Sequence, residues 1–243
     1  MPDEFHVKRL GTVPYLEAWE LQKELAAKRR RDEIPDTLLL LEHPPTYTRG
    51  RRAKAEELPM GTAWYRERGI EIHDTDRGGL VTYHGPGQLV AYPIVHLGAY
   101  GDDVHAYVRG LEQGIIDTLG GAGVPAQTIK GLTGVWTLGD PPSAGSPNPA
   151  RKIASIGLHV SRGITTHGLA INVNNDLRPF EWIVPCGIDN VAITSVAREL
   201  GRREDLDRLA EALAAAYALV FKPSDLSTAA VLPQFQGLSG NVR

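Results

Sequence analysis

The stretch "RGGLVTYHGPGQLVAYPI", residues 77–94, is the most distinctive part of this 243-residue chain. The runs "LVTYH" and "QLVAYPI" are short, apolar and rich in β-branched and aromatic residues, which predicts two strands. Between them, Gly85-Pro86-Gly87 forces a turn. On its own the segment is as compatible with a plain glycine-rich hairpin as with a binding element.

The glycines of this stretch also favour a site. Residues 78, 79, 85 and 87 are glycines, so a ligand could lie directly against the backbone there. Arg77, Thr82, Tyr83 and His84 would supply hydrogen-bonding groups around that space.

Outward from this stretch, strands and helices alternate irregularly. The apolar run at 37–41 predicts a buried strand, and further strands are expected at 134–138, 152–160 and 167–173. Helices are expected after Pro14, after an Asp102 cap, and over 203–221, where apolar residues recur at helical spacing. The absence of a regular βαβ rhythm favours an α+β domain with a mixed sheet over a doubly wound fold. We expect a single domain over 1–243, with an exposed Pro/Gly/Ser-rich loop at 139–150 and a tail at 222–243 that carries no usable signature.

Composition excludes several classes of function. The chain is 42% hydrophobic and 23% charged with a net charge of −3, which is typical of a soluble globular protein and not of a nucleic-acid-binding domain. Its apolar runs are of strand length and its first ten residues lack an apolar leader, so we expect a cytoplasmic protein with no membrane span. Zinc-peptidase, C-x-x-C and P-loop motifs are absent, and no metal or cofactor is expected.

The single cysteine, Cys186, lies in "IVPCGID" at 183–189. A free cysteine is more often a small buried hydrophobe than a nucleophile. Pro185 and Gly187, however, favour a thiol that another molecule can approach. With a pKa near ~8.5, such a thiol needs a nearby cation or base to react at neutral pH. Lys152, which opens "KIASIGLHV", is a candidate, although most lysines at strand starts are simply solvated, and sequence distance cannot decide whether the two meet.

Together with "HGLAINVNNDL" from His167, these blocks closely resemble the octanoyltransferase family of lipoate biosynthesis, also called lipoyl(octanoyl) transferase. The resemblance runs from "LLLLEHPPTYTRG" to "TSVARELG" with the blocks in the family's order. It implies an α+β fold, with a mixed central β-sheet flanked by helices, similar to the catalytic domain of biotin and lipoate protein ligases. It also implies transfer of an octanoyl group from acyl carrier protein to a lysine of lipoyl domains. The acceptors would be the 2-oxoacid dehydrogenase complexes and the glycine cleavage H protein.

The resemblance assigns roles to individual residues. Cys186 would form the acyl-thioester intermediate, while Lys152 would lower its pKa and act as general acid and base. The residues expected to contact the acyl substrate are Arg77, Gly78, Gly79, Leu80, Val81, Thr82, Tyr83, His84, Ser155, Ile156, Gly157, Gly168, Leu169 and Ala170.

This chemistry is physically reasonable. Exchange between thioesters is nearly isoenergetic and needs no ATP. Backbone N–H groups or His84 could stabilise the oxyanion, and Leu80, Val81, Ile156 and Leu169 could form an apolar slot worth about 0.8 kcal/mol per buried methylene. The basic clusters at 29–31 and 49–52 could attract an acidic carrier protein, although ordinary solvated cations are the commoner case.

Three alternatives remain open from the sequence. An ATP-dependent lipoate or biotin ligase would share the fold but would not need the thiol. A noncatalytic relative would bind acyl groups or lipoyl domains without transfer. A cysteine hydrolase would pass the same intermediate to water.

Overall fold

The computed structural model describes residues 5–142, 146–183 and 191–220. Cys186, the middle of the 139–150 loop and the 222–243 tail therefore lie outside the described residues.

The described chain forms a seven-stranded mixed sheet with the order β1-β2-β6-β10-β9-β8-β7. Strands β1 and β2 are parallel and the other neighbours are antiparallel, so the predicted α+β architecture with a mixed central sheet is confirmed. The strands of this sheet are β1 (His6–Thr12), β2 (Thr37–Glu42), β6 (Gln88–Ile94), β7 (Ala126–Ile129), β8 (Leu132–Thr137), β9 (Lys152–Ser161) and β10 (Ile164–Asn172).

A smaller sheet with the order β4-β3-β5 lies beside it, built from β3 (Thr46–Arg49), β4 (Glu71–Asp74) and β5 (Val81–His84). The turn predicted at residues 85–87 is present, but β5 and β6 do not pair with each other. Instead, the turn carries the chain from the smaller sheet to the larger one. Gly87, at φ +85°, holds this position because its N–H donates to Glu42 Oε2 and its carbonyl accepts from Asn174 N–H.

Strand β2 reads as an unbroken apolar run because helices cover both of its faces. Leu38 and Leu40 belong to the cluster beneath helices α3 (Val104–Gly121) and α6 (Leu206–Val220), whereas Leu39 and Leu41 belong to the cluster beneath helix α1 (Tyr15–Arg30). Successive side chains of a strand point to opposite faces, so a strand with two buried faces needs apolar residues throughout.

The long predicted helices are present, with one correction at a cap. Helix α3 begins after Asp103, whose carboxylate accepts from the N–H groups of His105 and Ala106. Asp102, the cap predicted from sequence, instead has a left-handed φ of +56°. The helices are α1 (Tyr15–Arg30), α2 (Thr62–Arg66), α3 (Val104–Gly121), α4 (Arg178–Glu181), α5 (Val196–Leu200) and α6 (Leu206–Val220), with 3₁₀ turns at Ala55–Glu57 and Leu97–Tyr100. Across the described ranges, no helix combines the length and the apolar character that crossing a membrane requires.

Candidate active site

A partly open cavity with about 550 Å³ of empty space lies where the two sheets meet. The loop before β5 forms one side and the middle of β9 and β10 forms another. The lining residues are Tyr15, Arg77, Gly78, Gly79, Leu80, Val81, Thr82, His84, Tyr92, Lys152, Ser155, Ile156, Gly157, His167, Gly168, Leu169 and Ala170.

The glycines here let backbones approach each other. Gly78 N–H donates to the carbonyl of Leu158 at 2.8 Å, which ties the loop to β9. A Cβ on Gly157 would come within 3.1 Å of the Gly78 carbonyl, and a Cβ on Gly168 would collide with the carbonyl of Ala91. Strand packing therefore requires glycine at 168 and favours it at 157.

Arg77 holds this loop in place. Its buried guanidinium donates to the hydroxyl and the carbonyl of Thr48, and to the carbonyls of Gly78 and Leu80, at 2.6–3.1 Å. A buried charge is tolerated when it is hydrogen-bonded in this way. Much of its donor capacity is therefore used to shape the cavity.

Lys152 is the first residue of β9 and its side chain is only 6% exposed. Its Nζ lies 5.3 Å from the ring centroid of Trp136. The side chain passes close to Gly134 of β8, where a Cβ would stand 2.8 Å from Lys152 Cε. Lys152 is therefore buried, unlike most lysines at the start of a strand, which are solvated.

The backbone of Lys152 is paired with the segment that follows the cysteine loop in sequence. Its N–H donates to the carbonyl of Ala192 at 2.8 Å, and its carbonyl accepts from the N–H of Thr194 at 2.9 Å. Ala192 is six residues after Cys186 in the sequence. This pairing holds Ala192 and Thr194 directly beside the buried lysine.

Three buried histidines lie at the cavity: His84 and His167 line it, and His43 packs behind them against Tyr15 and His84. Burial lowers the pKa of His43 to about 4 and that of His84 well below its ordinary value. Burial also lowers the pKa of His167, although the hydrogen bond to Asp76 opposes this shift. All three are therefore neutral at pH 7, because loss of hydration disfavours the imidazolium.

Hydrogen bonds fix the proton positions of two of them. His43 Nδ1 must donate to the carbonyl of Val13 at 2.7 Å, so its Nε2 accepts from the hydroxyl of Tyr92. His167 Nε2 donates to Asp76 at 2.6 Å, which leaves Nδ1 to accept from the hydroxyl of Tyr15 at 3.3 Å. The bond from His167 also holds the pKa of Asp76 below its usual value.

A model of the lipoyl protein ligase A/B catalytic domain matches residues 14–218. The chain belongs to this family. This match, together with the relatives described next, confirms the resemblance seen in the sequence.

Similar proteins of known name agree with this assignment. This chain is 49% identical over 216 residues to a protein named octanoyltransferase from Chloroflexus aurantiacus, covering 88% of this chain and 93% of the relative. It is 46% identical over 234 residues to an octanoyltransferase of Thermobifida fusca, covering 95% of each. Its fold is similar to a bipartite lipoate protein ligase from Thermoplasma acidophilum, with a TM-score of 0.67 at 17% identity over 89% of this chain and 83% of the other.

In this family member, the structure brings nearly all the predicted contact residues to one cavity. Tyr83 is the exception: it alternates with Thr82 and His84 along β5 and packs instead against Tyr47 and Phe180 in the core of the smaller sheet. Lys152 lines the same cavity. Cys186 lies outside the described residues.

Three further residues line the cavity that the sequence did not assign to it: Tyr15, Tyr92 and His167. Tyr92 and His167 lie within the sequence blocks quoted above. Both are close in sequence to residues that were assigned to the site, and this closeness was a usable signal. Tyr15 belongs to α1, whose sequence signals only a helix. Within the described ranges, no group of three or more His, Cys, Asp or Glu side chains could hold a metal ion.

Proposed function

We propose that this chain is an octanoyltransferase that moves an octanoyl group from the thioester of acyl carrier protein to a lysine amine of lipoyl domains. The acceptors would be those of 2-oxoacid dehydrogenase complexes and the glycine cleavage H protein. Support comes from relatives at 46–49% identity that are named octanoyltransferase, and from a cavity lined by Lys152 and by most of the predicted contact residues.

The observation that carries the proposal is the burial of Lys152 in the wall of that cavity, with its backbone paired to Ala192 and Thr194. The lysine is held beside the chain that follows Cys186 in sequence, where an ammonium would favour the thiolate form of a neighbouring cysteine.

In the first half-reaction, the Cys186 thiolate attacks the octanoyl carbonyl of the donor. The bond between that carbonyl carbon and the carrier sulfur breaks, and the departing thiolate takes a proton from the Lys152 ammonium. An acyl-enzyme with a neutral Lys152 results. No ATP is consumed, because one thioester replaces another.

In the second half-reaction, the amine of the acceptor lysine attacks the Cys186 thioester. Lys152 takes a proton from the attacking nitrogen, the bond between the acyl carbon and Cys186 Sγ breaks, and an amide forms. The thiolate and the ammonium are restored together. A lysine that arrives as an ammonium first gives one proton to solvent, so each turnover releases one proton.

The apolar part of the cavity suits the acyl tail. Leu80, Ile156 and Leu169 line it, and burial of each methylene would contribute about 0.8 kcal/mol. The tail would lie between the loop that Arg77 holds and the strands β9 and β10.

Intact-protein mass spectrometry after mixing with octanoyl-carrier protein tests this function. We expect one octanoyl adduct on the wild type, none on Cys186→Ala and slow adduct formation on Lys152→Ala. Lys130→Ala, which alters an exposed lysine, is the control and should react like the wild type. An adduct that persists on Cys186→Ala would refute the cysteine intermediate.

The acceptor in the second step separates this function from its competitors. Addition of a lipoyl domain should discharge the adduct to an amide on the acceptor lysine. Discharge to free octanoate at the same rate without the domain would indicate a hydrolase. Modification of the domain from free octanoate and ATP, without an enzyme adduct, would indicate a ligase.

A further inference from the structure

His84 belongs to a chain of side-chain amides whose orientations are fixed by backbone groups. Asn172 Nδ2 donates to the carbonyl of Thr194 at 3.1 Å, so Asn172 Oδ1 faces Gln88. Gln88 Nε2 donates to that oxygen at 2.9 Å and to the carbonyl of Tyr83 at 3.1 Å. A carbonyl oxygen can only accept, so the amide nitrogen of Gln88 must point this way.

The remaining oxygen of Gln88 then determines where His84 carries its proton. Gln88 Oε1 lies 2.8 Å from His84 Nδ1 and can only accept. His84 is neutral, since burial lowers its pKa well below the ordinary value. Its single N–H is therefore at Nδ1, and Nε2 carries a lone pair. Among the residues that the structure describes, His84 hydrogen-bonds only through Nδ1.

Two tyrosine hydroxyls of the cavity lining already have acceptors for their protons. Those of Tyr15 and Tyr92 donate to His167 and His43. An oxyanion needs hydrogen-bond donors. His84 has none to offer, because its single N–H is bonded to Gln88. An amine, in contrast, brings N–H donors of its own.

We propose that His84 Nε2 accepts a hydrogen bond from an N–H of the incoming lysine amine and so orients the nitrogen lone pair for attack on the acyl-enzyme. This inference rests on the proposed function and assigns His84 to its second half-reaction only. His84 makes and breaks no covalent bond. The proton lost from the attacking nitrogen goes to Lys152, and the N–H held by His84 remains on the amide nitrogen.

Measuring the half-reactions separately on His84→Phe tests the proposal. Three rates are compared with the wild type: acylation by octanoyl-carrier protein, discharge to a lipoyl-domain lysine, and discharge to 2-mercaptoethanol. A thiolate carries no N–H, so its attack does not need the His84 acceptor. We expect discharge to the lysine to fall by roughly 10- to 100-fold, as for loss of a buried hydrogen bond to a reacting group. The other two rates should change by less than about threefold.

The same experiment can overturn the proposal. If His84 stabilised the oxyanion, all three rates would fall together, and a lysine discharge rate equal to that of the wild type would exclude either role. Normal acylation of His84→Phe also shows that the variant is folded. His105→Phe, at an exposed histidine of α3, is the matched control.

A measurement on the unaltered protein adds an independent check. The nitrogen-15 spectrum of the His84 imidazole should show a protonated Nδ1 and an unprotonated Nε2 near neutral pH. A protonated Nε2 would contradict the proposal whatever the kinetics. Failure of the proposed function would be distinct, because the wild type would then form no adduct on Cys186.

Discussion

His43 and Tyr92 are joined by a 2.7 Å hydrogen bond in which the phenol donates to the imidazole Nε2. Both side chains are buried, and the pKa of His43 is lowered to about 4 by that burial. This bond requires a neutral His43, because only an unprotonated Nε2 can accept a hydrogen bond. The polar network beside the cavity is therefore intact only while its histidines are unprotonated.

Stability should accordingly fall in mild acid. The unfolded chain binds protons at His43, His84 and His167 below about pH 6.5, whereas the folded chain, with lowered pKa values, does not. Protonation of each of these histidines in the unfolded chain should therefore lower the unfolding free energy by up to about 1.4 kcal/mol per pH unit below that point. For His43 the loss should continue to its folded pKa of about 4.

Urea denaturation between pH ~7 and ~5 measures this dependence. His43→Asn should flatten the slope, whereas His105→Asn, at an exposed position, should leave it unchanged. An unfolding free energy that is constant over this range would contradict the assignment of neutral histidines.

Two exposed arginines at the cavity rim should affect the carrier substrate selectively. The backbone N–H of Arg51 donates to the carbonyl of Arg77 and that of Arg52 to the carbonyl of Gly79, which fixes the backbone of both exposed residues beside the cavity loop. If the donor is an acidic protein, Arg51→Glu/Arg52→Glu should raise its KM by about tenfold or more at low salt. The effect should shrink as salt is added, because screening weakens exposed charges.

Steady-state kinetics with octanoyl-carrier protein and with a small octanoyl thioester distinguish steering from damage. Only the carrier reaction should be impaired. Arg203→Glu/Arg208→Glu changes the net charge equally at other exposed positions and should have little effect. An equal loss with both donors would exclude electrostatic docking at this rim.

Chain-length preference should depend on Ile156, which lines the cavity from β9. A larger side chain at this position would occupy space that the far end of an octanoyl chain would use. Ile156→Phe should lower the acylation rate with octanoyl-carrier protein and shift the preference towards hexanoyl by severalfold, since each methylene is worth about 0.8 kcal/mol. Competition between the two donors, followed by mass spectrometry of the adduct, gives the ratio. An unchanged ratio would place the tail elsewhere.

The sequence predicted the elements whose signals are local. Leu38 to Leu41 mark a doubly covered strand, and the helices around Leu21 and Leu213 follow from their apolar spacing. The residues near the cavity were found because they lie in distinctive blocks. What those residues touch could not be predicted in the same way, because contacts between segments far apart in sequence depend on how the sheets meet.

Arg29 and Tyr83 illustrate that limit. Arg29 appeared to belong to a basic surface cluster, but its guanidinium is buried and bonded to Asp36 at 2.6 Å and to Asp32. Tyr83 appeared to face a ligand, but the pleat of β5 turns it into the core of the smaller sheet. The partners of Tyr83, Tyr47 and Phe180, are distant in sequence, whereas those of Arg29 lie only three and seven residues further along the chain.

The position of the Lys152 side chain should depend on residue 134 being glycine, which has no side chain. A Cβ there would stand 2.6 Å from the carbonyl of Ala154 and 2.8 Å from Lys152 Cε, and the residue has a φ of +117°. We expect Gly134→Ala to displace the lysine and to slow acylation of Cys186 by tenfold or more, in addition to backbone strain of about 1–3 kcal/mol. Gly131→Ala separates the two effects, because Gly131 also has a positive φ, of +83°, but has open space around it. It should lose stability in urea denaturation while acylating at the wild-type rate. If both variants acylate alike, then the empty position beside Lys152 is not what sets the geometry of the lysine.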